Sequence, residues 1–93
     1  MADIAQCCRI SGKVQGVWFR AWTVEQARAR SLKGWVRNLA NGDVEAMFVG
    51  SADAVADMIQ ACYQGPKAAR VANIAVEDFA GDIPADFAQH PDA

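Results

Sequence analysis

Residues 10–20 read ISGKVQGVWFR and separate a strand-like segment from a helix-like one. On the N-terminal side, Ile4 to Lys13 partly alternates between apolar and polar residues, a pattern that favours a β-strand. On the C-terminal side, residues 20–31 are rich in the helix formers Ala, Glu, Gln and Arg. The stretch therefore predicts a loop with glycines at Gly12 and Gly16 that leads straight into a helix, with Arg20 at the junction.

The rest of the chain predicts three more strands and a second helix. Asn41-Gly42 is typical of a tight hairpin, because both residues tolerate positive φ. The second helix is expected to begin after Ser51 and to end at Gly65-Pro66, with apolar residues at i, i+3, i+4 and i+7: Val55, Met58, Ile59 and Cys62. The strands are expected at Trp35–Leu39, Val44–Val49 and Arg70–Glu77.

This order of elements, βαββαβ, predicts a ferredoxin-like α+β sandwich with a four-stranded antiparallel sheet and two helices on one face. Ninety-three residues suffice for one domain, which we expect to span residues 1–93. Residues 81–93 offer little to bury, and we expect them to be a loosely held tail. The architecture hosts many functions and decides none of them.

The topology does predict where a site would form. A strand–helix–strand crossover leaves strands one and two parallel, so the loop after strand one and Asn38 at the end of strand two share one sheet edge. Successive amides from Gln15 to Arg20 are expected to line a concave nest for an oxyanion at the helix N-terminus. Arg20 offers a planar fork for two phosphate oxygens, and Asn38 an amide that holds a water without titrating. Taken alone, each has a plainer explanation, a surface salt bridge for Arg20 and a turn for Asn38.

Other kinds of chemistry have little support. The sequence contains neither GxxxxGK[ST] nor GxGxxG after a strand, and its acidic residues are dispersed, so we expect no metal and no cofactor. His90 lies near the C-terminus, where we expect a solvated residue rather than a base. Cys7, Cys8 and Cys62 lack zinc spacing, and nothing suggests a disulfide framework. The N-terminus lacks the basic region and apolar run of a signal peptide, and no stretch approaches the length of a membrane span, so we expect a cytoplasmic protein.

Charge is distributed unevenly along the chain. Residues 1–37 hold seven of the nine Lys and Arg but only two of the eleven acidic residues, a net +5 within a chain of net charge -2. A local positive field on an acidic protein suits a small anion better than a nucleic acid.

Two long segments resemble the signature of the acylphosphatase family: Gly12–Arg20 and Leu32–Asn38. The hairpin at Asn41-Gly42 and the later Gly65-Pro66 are similar to that family too, and the resemblance covers about residues 5–78. It implies a small-molecule acyl phosphate as substrate, phosphate or a similar anion held by Arg20 and by loop amides, and water oriented by Asn38. The loop amides meant are those of Gln15, Gly16, Val17, Trp18, Phe19 and Arg20.

Three residues depart from the family pattern. Ser31 stands where many relatives have Gly, Asn41 replaces the commoner Asp, and Trp18 is bulky where smaller residues are frequent. We expect Trp18 to affect access or substrate preference, and we expect a monomer that binds neither nucleic acid nor membrane.

Two alternatives of other classes remain at this point. Ferredoxin-like sheets also carry RNA-binding modules, although residues 44–49 lack the aromatic pattern of such modules and the calculated pI is about 5.1. The same amide nest also suits a phosphate sensor without turnover, which would have no need of Asn38.

Overall fold

The structure, a computed structural model, describes residues 3–93. Five strands and two helices follow one another in the order β1 (Ile4–Lys13), α1 (Phe19–Ala29), β2 (Lys33–Asn38), β3 (Val44–Gly50), α2 (Ala52–Gln64), β4 (Arg70–Asp78) and β5 (Phe87–Gln89). The predicted α+β class and the βαββαβ order are confirmed. The predicted count of four strands is wrong, because the C-terminal segment adds β5.

The strands form one mixed sheet in the order β4-β1-β3-β2-β5. β1 and β2 each pair antiparallel with β3, so they run in the same direction on either side of it. β5 pairs in parallel with β2. Consequently β1 and β2 end at the same edge of the sheet, as the crossover rule requires.

One face of this sheet carries the core. The register places Cys8 of β1 and Val36 of β2 opposite Ala46 of β3, and all three are fully buried. Because side chains alternate along a strand, the same face continues two residues further on with Ile10 and Val44. Both helices pack on this face, and their buried residues join the same apolar cluster. They are Phe19, Thr23 and Ala27 in α1 and Val55, Met58 and Cys62 in α2.

The helix ends follow local chemistry. Ser51 caps α2, with its hydroxyl oxygen accepting from the amide of Ala54 at 3.2 Å. The helix α1 ends at Ala29, two residues before the end of the helix-like segment 20–31 identified in the sequence. There the Leu32 amide donates to the Ala27 carbonyl at 2.9 Å, and Ser31 takes a left-handed φ of 57°. Neither helix within residues 3–93 has the length and apolarity to cross a bilayer.

The C-terminal segment corrects the expectation of a loosely held tail. Phe87 is fully buried, and its ring stacks on that of Phe48 with centroids 5.7 Å apart. β5 covers the outer edge of β2, and beyond it the His90 amide donates to the Val36 carbonyl at 2.8 Å. A three-residue strand in a segment with Gly81 and Pro84 leaves no periodic signal, so the sequence pattern did not predict it.

Candidate active site

A cleft of about 390 Å³ opens at the sheet edge where β1 and β2 end. It brings together Arg20, Asn38 and most of the loop that connects β1 to α1. The lining residues are Val14, Gln15, Gly16, Trp18, Phe19, Arg20, Ala21, Asn38 and Gln89. Val17 is the one residue of the predicted loop set that does not line the cleft, because its side chain is buried in the core.

The backbone of the loop is shaped to expose its amides. Gly16 and Trp18 both have left-handed φ values, 72° and 66°. Within the described part of the chain, the amides from Gly16 to Ala21 donate to no protein acceptor. The first turn of α1 has no side-chain cap and no acidic residue. Unpaired N–H groups and the positive end of the helix dipole therefore lie beside the cleft, and such an arrangement favours the binding of anions.

The Gln15 side chain ties the loop to the neighbouring hairpin. Its Nε2 donates to the carbonyl of Leu39 at 2.8 Å and to that of Asp43 at 2.9 Å. These bonds join the end of β1 to the β2–β3 turn and so hold the two sides of the cleft together. Only the backbone amide of Gln15 was predicted as part of the site, because nothing local in the sequence signals a side-chain contact 24 residues away.

Arg20 occupies the first turn of α1 and is engaged by the C-terminus. Its Nη1 lies 2.8 Å from Oδ1 of Asp92, in an ion pair whose guanidinium side is 30% exposed. Only one nitrogen takes part in this bond, and a guanidinium has five N–H donors, so donors remain for a second oxyanion. Asp92 is a residue that the sequence analysis missed, since the contact spans 72 positions.

Asn38 ends β2, opposite Val44 of β3, and is 8% exposed. Its carbonyl accepts a hydrogen bond from the Ala93 amide at 2.9 Å. Asn38 is one of the residues that line the cleft. Among residues 3–93 no buried side-chain nitrogen or oxygen lacks a hydrogen-bond partner, so the side-chain amide of Asn38 is not a buried polar group without a partner.

The tail contributes Gln89 to the cleft wall, which the sequence analysis also missed. His90 is not brought into the cleft. It is exposed and stacks on Trp35 with ring centroids 5.6 Å apart.

The cysteines do not supply a nucleophile. Burial, reinforced by the charge of Glu45, raises the pKa of Cys7 to about 11. Burial raises the pKa of Cys8 and that of Cys62 to about 12. A thiol protonated at neutral pH is a weak nucleophile and a poor metal ligand. No group of three or more His, Cys, Asp or Glu side chains that could hold a metal occurs in the described residues.

Comparisons with known proteins agree on one family. The family model described as Acylphosphatase matches residues 7–89. A protein of Rhizorhabdus wittichii named Acylphosphatase is 54% identical over 88 residues, which cover 95% of this chain and 89% of the relative. The solved structure of an acylphosphatase from Coxiella burnetii superposes with a TM-score of 0.91 at 34% identity, over 96% of this chain and 94% of the other.

Proposed function

This chain belongs to the acylphosphatase family and is an enzyme of that kind, and we propose that Arg20, the loop amides and Asn38 carry out its reaction. In this proposal the substrate is a small acyl phosphate, and the products are a carboxylate and inorganic phosphate. The supporting observation is that one cleft contains all three groups.

In this proposal the loop amides and the Arg20 guanidinium bind the phosphate group. The amides from Gly16 to Ala21 have no protein partner within residues 3–93, and Arg20 keeps free donors beside its bond to Asp92. A carboxylate oxygen already lies 2.8 Å from the Arg20 guanidinium, so an oxyanion fits there sterically. Several donors of fixed orientation stabilise the charge that the phosphoryl oxygens carry during transfer.

In this proposal Asn38 orients the water molecule that attacks phosphorus. The side-chain amide donates to, or accepts from, a water molecule and directs its oxygen at phosphorus. As the new P–O bond forms, the bond between phosphorus and the acyl oxygen breaks, and its electron pair stays on the departing carboxylate. The attacking water loses one proton to a phosphate oxygen or to solvent.

The leaving group explains why so few side chains suffice. The conjugate acid of a carboxylate has a pKa near 4, so the group departs without being protonated. Neither a general acid nor an added metal is therefore needed in this proposal. A phosphate monoester has a far poorer leaving group and should be a weak substrate.

Benzoyl phosphate hydrolysis in Arg20→Ala and Asn38→Ala tests these roles. We expect Arg20→Ala to lower kcat/KM by about 100-fold or more, and to weaken inhibition by phosphate, because charged donors are lost. We expect Asn38→Ala to lower kcat by about 100-fold with phosphate inhibition retained. A phosphate sensor, the second class considered, would bind phosphate in the unsubstituted protein and hydrolyse nothing.

Two matched variants control for general damage. Arg30→Ala breaks another Arg–Asp pair, that with Asp57, at the far end of α1. Asn73→Ala removes an exposed asparagine from β4. Both should retain full activity. Full activity in folded Arg20→Ala or in folded Asn38→Ala would refute the role proposed for that residue.

We further propose that the protein works as a cytoplasmic monomer. Three free thiols suit a reducing compartment, and the groups proposed for the reaction all belong to one domain, so the proposed mechanism requires no residue from a second copy. Sedimentation of the purified protein at 10-fold different concentrations would detect association.

A further inference from the structure

Trp18 is the most exposed large apolar residue described by the structure, with 83% of its surface accessible. It lies on the loop and lines the same cleft as Arg20 and Asn38. The other exposed large apolar side chains (Ile4, Tyr63, Val76 and Ile83) do not line this cleft. The position of Trp18, rather than its exposure alone, singles it out.

The backbone at Trp18 makes the residue type unexpected. Its φ of 66° and ψ of 21° lie in the left-handed region, where a bulky side chain is disfavoured and glycine is cheap. The indole recovers little of that cost by packing, because it is almost entirely in solvent. A strained and exposed aromatic residue at a binding cleft is a pattern that points to contact with a ligand.

The cleft has room for such a contact. Its volume of about 390 Å³ falls within the range of pockets that bind whole small molecules. Beside Arg20 and Asn38, the wall includes the exposed Ala21 and the edges of Val14 and Phe19, which are otherwise buried in the core. A substrate held by its phosphate against the loop would extend its acyl group along the remaining wall, where the indole offers a flat apolar face.

We propose that Trp18 is a specificity-determining residue whose indole contacts the acyl group and favours aromatic acyl phosphates over small aliphatic ones. This inference rests on the proposed function, because it assumes that the cleft binds acyl phosphates. It adds a preference for one class of substrate, carried by a side chain that the phosphate does not touch.

The ratio of kcat/KM for benzoyl phosphate to kcat/KM for acetyl phosphate tests the inference. In Trp18→Ala the ratio should fall about tenfold, since an aromatic stacking contact and its buried area are lost. Trp18→Phe should restore most of the ratio, because a phenyl ring keeps a flat apolar face. Tyr63→Ala, which removes an exposed aromatic residue from α2, should leave the ratio at the wild-type value.

The remaining outcomes separate this inference from the proposed function. An equal loss on both substrates in Trp18→Ala would overturn it, because a disturbed loop would explain that result. An unchanged ratio in a folded variant would overturn it too. If wild-type protein hydrolyses neither acyl phosphate, the proposed function has failed, and this inference fails with it.

A measurement on the unsubstituted enzyme covers the case in which Trp18→Ala does not fold. Phenylphosphonate and methylphosphonate carry the same anionic group with and without an aromatic ring. We expect phenylphosphonate to inhibit several-fold more strongly, whereas equal inhibition would overturn the inference.

Discussion

At the scale of single residues, the side-chain carboxylate of Asp92 contacts the guanidinium of Arg20, which we propose as the phosphate ligand. The Arg20–Asp92 ion pair is partly exposed, with 63% of the Asp92 side chain accessible. Exposed pairs of this kind contribute little, about 0.2–1 kcal/mol. A phosphate dianion arriving in the cleft therefore meets a negative charge that is only weakly held in place.

The substitution Asp92→Asn should tighten the binding of inorganic phosphate by about two- to fivefold, because it removes a competing anion worth up to about 1 kcal/mol. The inhibition constant of phosphate against benzoyl phosphate hydrolysis measures this. Asp3→Asn makes the same charge change just before β1, at the opposite end of that strand from the loop, and should have little effect. Weaker phosphate binding in Asp92→Asn would instead mean that Asp92 holds Arg20 in its working position.

At the scale of elements, the cleft is assembled from a helix start, two strand ends and a short C-terminal strand. The buried side chain of Phe87 attaches β5 to the core. The Phe87 carbonyl also accepts hydrogen bonds from the Arg28 guanidinium, at 2.9 and 3.2 Å. The Gly34 amide donates to the Asp86 carbonyl at 3.1 Å, which fixes the start of the pairing with β2. The segment that brings Gln89 and Asp92 to the cleft is thus attached to the core.

Truncation of Phe87 to alanine should lower the free energy of unfolding by about 3–5 kcal/mol, the usual cost of removing a fully buried phenyl ring. Urea denaturation followed by circular dichroism gives this value. Phe79→Ala, a half-buried phenylalanine in the connection to β5, should cost clearly less. A loss below about 1 kcal/mol for Phe87→Ala would show that β5 is dispensable to the fold.

The order of elements was predictable from sequence because each long element carries its own periodic signal. Apolar residues of α2 recur at helical spacing, and Asn41-Gly42 marks the hairpin between β2 and β3. β5 was missed, since three residues show no period and their position depends on contacts with residues distant in sequence, such as Arg28 and Phe48.

The candidate site was predictable only in part, for a related physical reason. Crossover topology and the helix start place Arg20 and Asn38 at one edge, and both follow from local patterns. The contacts of Gln15 and Asp92 join residues 24 and 72 positions apart. Such contacts depend on the final packing of the chain, and no local pattern in one sequence encodes them.

At the scale of the whole molecule, the free energy of unfolding should fall at alkaline pH because of the buried thiols. Burial raises the pKa of Cys62 from 9.0 to about 12, with a further contribution from Cys8. Above pH 9 the unfolded thiol loses its proton while the folded one keeps it, so stability falls as the pH rises towards 12. Each such thiol contributes a slope of up to about 1.4 kcal/mol per pH unit.

The variant Cys62→Ala should therefore lose less stability than wild type between pH 8 and pH 11, by about 2–3 kcal/mol. Urea unfolding at intervals of one pH unit, with a reductant present, measures the slope of the free energy of unfolding against pH for each protein. Slopes matter here rather than absolute values, because the substitution also leaves a cavity. Parallel pH dependences for the two proteins would contradict the expectation.

The convergence of loop amides, Arg20 and Asn38 on a single phosphate is tested most directly by titrating the ¹⁵N-labelled protein with inorganic phosphate. Chemical shifts of backbone and side-chain amides report the site residue by residue. We predict saturable shifts that are largest for the backbone amides of residues 15–20 and for the side-chain amide of Asn38, and much weaker binding in Arg20→Ala. Saturable shifts centred elsewhere, or binding unaffected by Arg20→Ala, would show that these groups do not form one phosphate site.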